Sequence, residues 1–323
     1  MYDIITVGSA TVDVFVRTSS KDVKIANLPE HDVCYPIGSK ILIDDLHFDT
    51  GGGGTNAAVA FSRLGFKTGW LGKIGHDANS STILEVTRNE GIDFLGAQDD
   101  GLAGYSVILE GIGNDRTILA FKGINDCLGT KDFDWNALNT KWFYFSSMMN
   151  TSFKTLEKLA KFAKKQGINY AFNPSTYLAQ QGLRNLRKIL DGCAVLVLNK
   201  EESQFLTGKI DQKEIFKLLQ YYARIIVITD GANGASAYDG ENIYSILPNK
   251  IKVVETTGAG DAFAAGVVAG LMQNKSLQLA LQIGMCEAES VIQFIGAKNN
   301  LLSMPALEKS LAKRPAKVSV GVL

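Results

Sequence analysis

An α/β chain built on a doubly wound, mostly parallel sheet flanked by helices follows from three observations on the 323 residues. Between Trp142 and Thr229, strand-like apolar runs alternate with segments of helical period, the pattern of a sheet covered on both faces. Glycines cluster at 51–54 and again at 258–260, each time just before a helical run rich in small apolar residues. Two strand-like runs, 105–110 and 117–121, flank the turn-rich segment 111–116, a hairpin signature in an otherwise alternating chain. With a further strand near 40–48, that hairpin predicts a small antiparallel sheet, from about 14–50 and 98–123, able to act as a lid.

Composition excludes several classes. A chain with 46% apolar and 20% charged residues is an ordinary globular protein. Its 33 basic and 33 acidic residues cancel, so no basic field speaks for nucleic acid or an anionic membrane. A small-molecule ligand is the remaining expectation. Cys34, Cys127, Cys193 and Cys286 are scattered, without a CxxC pair or a histidine at metal-ligand spacing, and read as reduced core thiols. The first residues enter a strand without a basic leader, and the longest apolar run falls short of the ~18 residues a membrane span needs. A cytoplasmic protein is expected.

In order, Ile4 to Val7 is a strand ending at Gly8-Ser9, with Asp13 soon after, near a carboxyl end where open α/β sheets bind ligands. No GxGxxG turn follows, which argues against a dinucleotide fold. The stretch from Arg17 to Thr50 reads as irregular, broken by Pro29 and Pro36, until the run from Lys40 to Phe48. His31 and His47 lack partners in sequence and read as surface residues. Residues 51–54 then lead into a helix closed by Gly65. A Walker loop is excluded, because Gly72-Lys73 is followed by Ile74 within a strand region. Strands follow at 68–74, 142–146, 168–172, 195–198 and 225–229, with helices at 79–89, 151–165 and near 184–190. Asp239-Gly240 marks a second hairpin, between 235–238 and 242–245. Ser276 caps a helix of apolar period, and the tail from Arg314 is expected to be poorly tied down. The whole reads as a single domain spanning 1–323.

Ile251 to Val254 reads as a short buried strand, which places Gly258 and Gly260 where a strand turns into a helix. The first amides of a helix have no intrahelical partner, and the helix dipole makes that end positive. Without Cβ atoms nearby, such a turn is an anion site. Asp261 falls in the first helical turn, as an acid complementing the dipole or as a base held beside a phosphate. Gly52, Gly53 and the rest of the other cluster let a ligand approach the backbone, and Asn56 adds a donor and an acceptor suited to sugar hydroxyls. Asn173, Asn199, Glu202, Thr229, Gly231 and Asp261 all fall at the ends of predicted strands, on the ligand side of the sheet.

Gly51-Gly52-Gly53-Gly54-Thr55-Asn56-Ala57-Ala58 with Arg63-Leu64-Gly65 resembles the first signature of the ribokinase-like (PfkB) carbohydrate kinases. Thr256-Thr257-Gly258-Ala259-Gly260-Asp261 with Phe263 and Gly266 resembles the second, and Asn199-Lys200-Glu201-Glu202 resembles the family's Asn-x-x-Glu motif. The resemblance implies an ATP-dependent kinase acting on a hydroxyl, expected to be primary, of a sugar such as ribose, fructose or a keto-deoxy sugar acid; a nucleoside kinase is the alternative and a silent sensor the remote one. It implies Asp261 as base, and Gly258, Ala259, Gly260 and Asp261 as the anion hole. Asp13, Gly52, Gly53 and Asn56 would bind the acceptor. Asn199, Glu202, Thr229, Gly231 and Gly234 would serve the nucleotide, with Glu202 reaching Mg²⁺ through water. Where this chain has Glu255 the family usually has an aspartate that in many members helps hold a monovalent cation, so Glu255 is the candidate residue for K⁺. A homodimer through the lid is also implied.

Overall fold

The structure, a computed structural model, describes residues 1–18, 24–27, 31–110 and 116–323. Pro29, the turn Gly111–Asp115 and the side chain of His31 lie outside the described residues. The chain runs β1 (Tyr2–Val7), β2 (Thr11–Thr18), β3 (Lys24–Asn27), β4 (His31–Cys34), β5 (Ile43–Gly51), α1 (Gly53–Arg63), β6 (Thr68–Leu71), β7 (Lys73–Ile74), α2 (Ala78–Asn89), β8 (Asp93–Phe94), β9 (Ala97–Gln98), β10 (Gly104–Glu110) and β11 (Arg116–Phe121). It continues through β12 (Thr140–Ser146), α3 (Asn150–Gln166), β13 (Asn169–Asn173), α4 (Thr176–Ala179), α5 (Gly182–Leu190), β14 (Cys193–Asn199), α6 (Lys200–Thr207), α7 (Gln212–Leu219), β15 (Ala223–Thr229), β16 (Ala235–Tyr238) and β17 (Asn242–Ile246). The last elements are α8 (Ala259–Met272), α9 (Leu277–Val291), α10 (Met304–Lys313) and β18 (Val318–Val322).

The main sheet has strand order β18-β17-β16-β15-β14-β13-β12-β1-β6-β8, parallel from β15 to β8 and antiparallel beyond β15. Its central strands are buried on both faces, which is why runs such as Ala194 to Leu198 carry no polar alternation. A core cluster lies on each side of it. One includes Val195, Val227, α1, α8 and α9; the other includes Leu196, Ile226, α3 and α5. Helix α8 is buried from Ala262 to Gly270, wedged between α1 and α9. Its small residues permit that, since a Cβ on Gly266 would come within 2.8 Å of the Gly284 Cα.

The second sheet, β11-β10-β2-β5, joins β10 to β11 and β2 to β5 antiparallel, while β10 and β2 run parallel. Residues facing each other across the register share a side, so Asp13, Ser106 and Ala120 look one way and Val14, Phe48, Val107 and Leu119 the other. Asp13 therefore does not follow β1 directly but rides on a strand of the covering sheet.

Four local expectations are corrected. Residues 251–254 form no strand, and Val253 and Val254 are exposed; the amides of Val254 and Glu255 bond instead to the Ile292 carbonyl at the end of α9. The tail is tied down, because β18 pairs with β17 from Asn242↔Val322 to Ile246↔Val318. Cys34 and Cys127 are exposed rather than core thiols, whereas Cys193 and Cys286 are buried. The run 68–74 is split at Gly72, where β7 leaves the main sheet to pair with β9.

Candidate active site

The two glycine turns meet. Gly8 at the end of β1 lies directly against Gly54, and Cβ atoms at either position would clash with the other's backbone. Gly52 holds φ 95° as the N-cap of α1, where a Cβ would strike the backbone of Ser9 and Ala10. Gly258 holds φ 81° as the N-cap of α8, where a Cβ would come within 2.5 Å of Ala297. At Gly52 and Gly258 side chains are excluded for steric reasons, quite apart from any ligand, whereas a Cβ at Gly260 would meet open space. The starts of α1 and α8 then converge: Asn56 Nδ2 donates to Asp261 Oδ2 at 2.8 Å, and the place a Gly53 Cβ would occupy is 3.6 Å from Asp261 Oδ1.

Asp261 is half-buried, and burial raises its carboxyl above the ordinary range; the Asn56 hydrogen bond opposes that, the Asp13 carboxylate adds to it, and Lys298 opposes it. Ala259 N–H is directed to Thr256 O at 3.3 Å, while the Gly260 and Asp261 amides have no partner among the described residues. Those two amides are what the turn offers an anion. Asn56 is 6% exposed and its Oδ1 accepts nothing, a buried acceptor beside the carboxylate. Such an atom costs free energy unless a donor arrives.

Asp13 is buried under Thr11, whose hydroxyl donates to its Oδ1 at 2.8 Å. Burial raises its pKa, against the hydrogen bonds from Thr11 and Ser106 and the charge of Lys298. Asp13, Gly52, Gly53, Asn56, Gly258 and Asp261 all line one cleft of ≈ 1010 Å³, counting its open mouth. Sequence reasoning missed several of its other walls. Ile118, Ala120 and Lys122 come from the covering sheet and its end, Ser146 ends β12 and Ser147 follows it, and Tyr177 lies on α4, with Lys122 Nζ 5.1 Å from its ring. No pattern marks them, because they meet only when the second sheet folds over the first. Lys298, which no pattern marks either, acts on the cleft through its charge near Asp13; it is buried, with its pKa lowered to about 8 by desolvation against the pull of Asp49 and Asp13.

Asn199, Thr229 and Gly231 share a second pocket, ≈ 480 Å³, at the ends of β14 and β15. It follows in sheet order on the ends of β12 and β13 that wall the first cleft. Asn199 and Glu202 form a reciprocal capping box: Asn199 Oδ1 accepts from Glu202 N–H at 2.7 Å and Glu202 Oε2 from Asn199 N–H at 2.9 Å. Glu202 Oε1 has only a long contact, 3.5 Å, from the Thr176 hydroxyl. Burial pushes Glu202 up to about 6, and the charge of Asp261 contributes to that rise. Gly234 is buried at φ 86°, its N–H on Gly231 O and its C=O accepting from Asp230, so its backbone groups are used within the turn.

Glu255 Oε1 accepts from the amide and hydroxyl of Thr257, at 2.7 and 2.5 Å, and lies 3.5 Å from the Arg116 guanidinium. The site thus carries a carboxylate-bearing helix start, a buried aspartate and a separate pocket one strand on.

A parallel sheet with helices on both faces and a covering sheet over two converging glycine turns is the ribokinase-like architecture. Residues 4–304 match the family described as "pfkB family carbohydrate kinase", and the chain belongs to it. It is accordingly a phosphotransferase with an alcohol acceptor. A ribokinase from Lactococcus lactis subsp. lactis is 26% identical over 320 residues, 97% of this chain and 97% of its own. Two solved structures show the same fold. Adenosine kinase from Sinorhizobium meliloti has a TM-score of 0.83 at 20% identity, covering 96% of this chain and 99% of its own. Arabidopsis thaliana ribokinase complexed with ribose and ATP has 0.78 at 22%, covering 97% and 99%.

Proposed function

We propose that the protein transfers the γ-phosphoryl group of ATP to a primary hydroxyl of a sugar. The observation that carries this is the Asn56–Asp261 hydrogen bond with the unpartnered Asn56 Oδ1 beside it: a base and an empty acceptor side by side at the floor of the cleft. A sugar presents both what the base takes, a hydroxyl proton, and what the acceptor lacks, a neighbouring hydroxyl donor. Asp13, an acceptor-only carboxylate on the cleft wall, serves further hydroxyls.

In this reading Asp261 takes the proton as the alcohol oxygen attacks the γ-phosphorus, and ADP leaves. A carboxylate raised above its ordinary pKa is, in its ionised form, a stronger base than a solvated one. The Gly260 and Asp261 amides and the dipole of α8 receive the charge that grows on the phosphoryl oxygens. The pocket at Asn199, Thr229 and Gly231 takes the nucleotide. Glu202 fits a role toward Mg²⁺, which favours phosphates and water with few protein carboxylates, because its Oε1 is nearly free. Mg²⁺ would neutralise phosphate charge there. K⁺ would have to share Glu255 with Arg116 and Thr257, which face its Oε1, leaving only the unpartnered Oε2 for the ion. The covering sheet acts as the lid, excluding water from the transfer.

Screening sugars for ADP release identifies the acceptor. Asp261→Asn should then keep ATP binding by calorimetry while kcat falls at least ~10²-fold; near-normal turnover removes Asp261 from the mechanism. A nucleoside acceptor is the second reading, favoured by the likeness to adenosine kinase and by Tyr177 on the cleft wall, a ring on which a base could stack.

A further inference from the structure

Arg116 opens β11, the free edge of the covering sheet, and alternation puts it on the same side as Ile118 and Ala120, which line the cleft. Its guanidinium leaves that sheet to bond Thr256 Oγ1 and to pair with Glu255 Oε1 at 3.5 Å. Both partners belong to the segment that shapes the anion turn. Glu255 Oε1 holds the amide and hydroxyl of Thr257, and the Thr256 carbonyl holds the Ala259 amide at the start of α8. One side chain of the lid therefore grips the loop whose geometry aims the Gly260 and Asp261 amides.

The pair is a poor stabiliser. The Glu255 side chain is 10% exposed, its Oε2 is buried without a partner, and so is Arg116 Nε. A buried ion pair with unsatisfied atoms gains little over apolar packing, whereas removing one partner strands the other charge. The bond makes most sense as a geometric device.

We propose that Arg116 is a positioning residue that makes closure of the lid and formation of the anion turn one event. When the covering sheet lifts, Glu255 loses its counter-charge and the turn loosens; when it seats, the guanidinium restores both. The inference rests on the kinase reading for its catalytic consequence, but the coupling itself is measurable without turnover.

The test uses the full chain. In Arg116→Ala the Thr257 amide, held by Glu255, should exchange with deuterium faster while the amides of the main sheet keep their protection, without substrate. With the acceptor found by screening, kcat should fall about 10- to 100-fold, as expected when reacting groups are mispositioned by about 1 Å, with acceptor KM little changed. Arg116→Lys should recover part of the loss, keeping the charge but not the planar fork. Arg116→Ala with Glu255→Gln should lose no more than Arg116→Ala alone. Unchanged exchange, unchanged kcat, a rise confined to acceptor KM, or additive losses each overturn the proposal. Should Arg116→Ala fail to fold, Glu255→Gln tests the same bond from the loop, with the same exchange and kcat expected. An inactive wild type across all acceptors sinks the kinase reading instead and leaves the exchange result to judge the coupling.

Discussion

Asp261 owes its chemistry to two opposed effects at one carboxylate. Burial favours the neutral acid, and the Asn56 amide favours the ion. In the proposed mechanism the ionised form is the base, so activity is expected above its pKa and lost as the pH falls through it. Because that pKa is raised, the acid limb of kcat should lie above the ordinary carboxylate range. Removing the Asn56 donor withdraws support from the charged form, so Asn56→Ala should move the limb to higher pH as well as weakening acceptor affinity. A pH–rate profile checks both, and a limb that moves down, or stays, excludes Asp261 as the titrating base. Glu202 titrates nearby with a raised pKa of about 6, so the profile of Glu202→Gln distinguishes the two.

The anion turn is an element whose parts come from three places in the chain. Gly258 needs its positive φ, Ala297 packs where a Cβ would stand, and Arg116 meets the carboxylate of Glu255 from the covering sheet. An expected buried strand ahead of the turn proved to be a segment outside any sheet, hung from the Ile292 carbonyl. Apolar residues at 251–254 suggested burial, but no neighbouring strand offers them a ladder, and a strand exists only where one does. The same element decides cation dependence. With a guanidinium already at Glu255 Oε1, rates in K⁺ and in tetramethylammonium should match at equal ionic strength; activation specific to K⁺ would show that the ion reaches the carboxylate through its unpartnered Oε2. The α8 motif itself was legible because small residues and glycines have few uses in series other than close approach.

At the scale of the molecule, the covering sheet has one face on the cleft and the other turned out. The outward side carries Leu46, Phe48, Leu119 and Phe121, all exposed. We propose that a second copy of the chain covers this apolar face. Wild type should sediment as a dimer, and Leu119→Glu with Phe121→Glu as a folded monomer; a monomeric wild type at all concentrations removes the lid dimer. Among the described residues no helix is long and apolar enough to cross a membrane, so this face is not explained by a helical span.

The linear order of residues by itself determined the alternating α/β plan, the two helix starts and the candidates Asn56, Asn199, Glu202 and Asp261, because glycine exclusion, helical period and strand length are local properties. It also pointed to Asp13, though not to the strand that carries it. Only the tertiary structure decided that Asn56 would hold Asp261, that Lys122, Tyr177 and Ser146 would wall the cleft, that Arg116 would answer Glu255, and that the tail would complete the main sheet as β18. Those contacts join residues up to 205 positions apart, and their energy depends on distance and burial, quantities that exist only after one sheet has closed over the other.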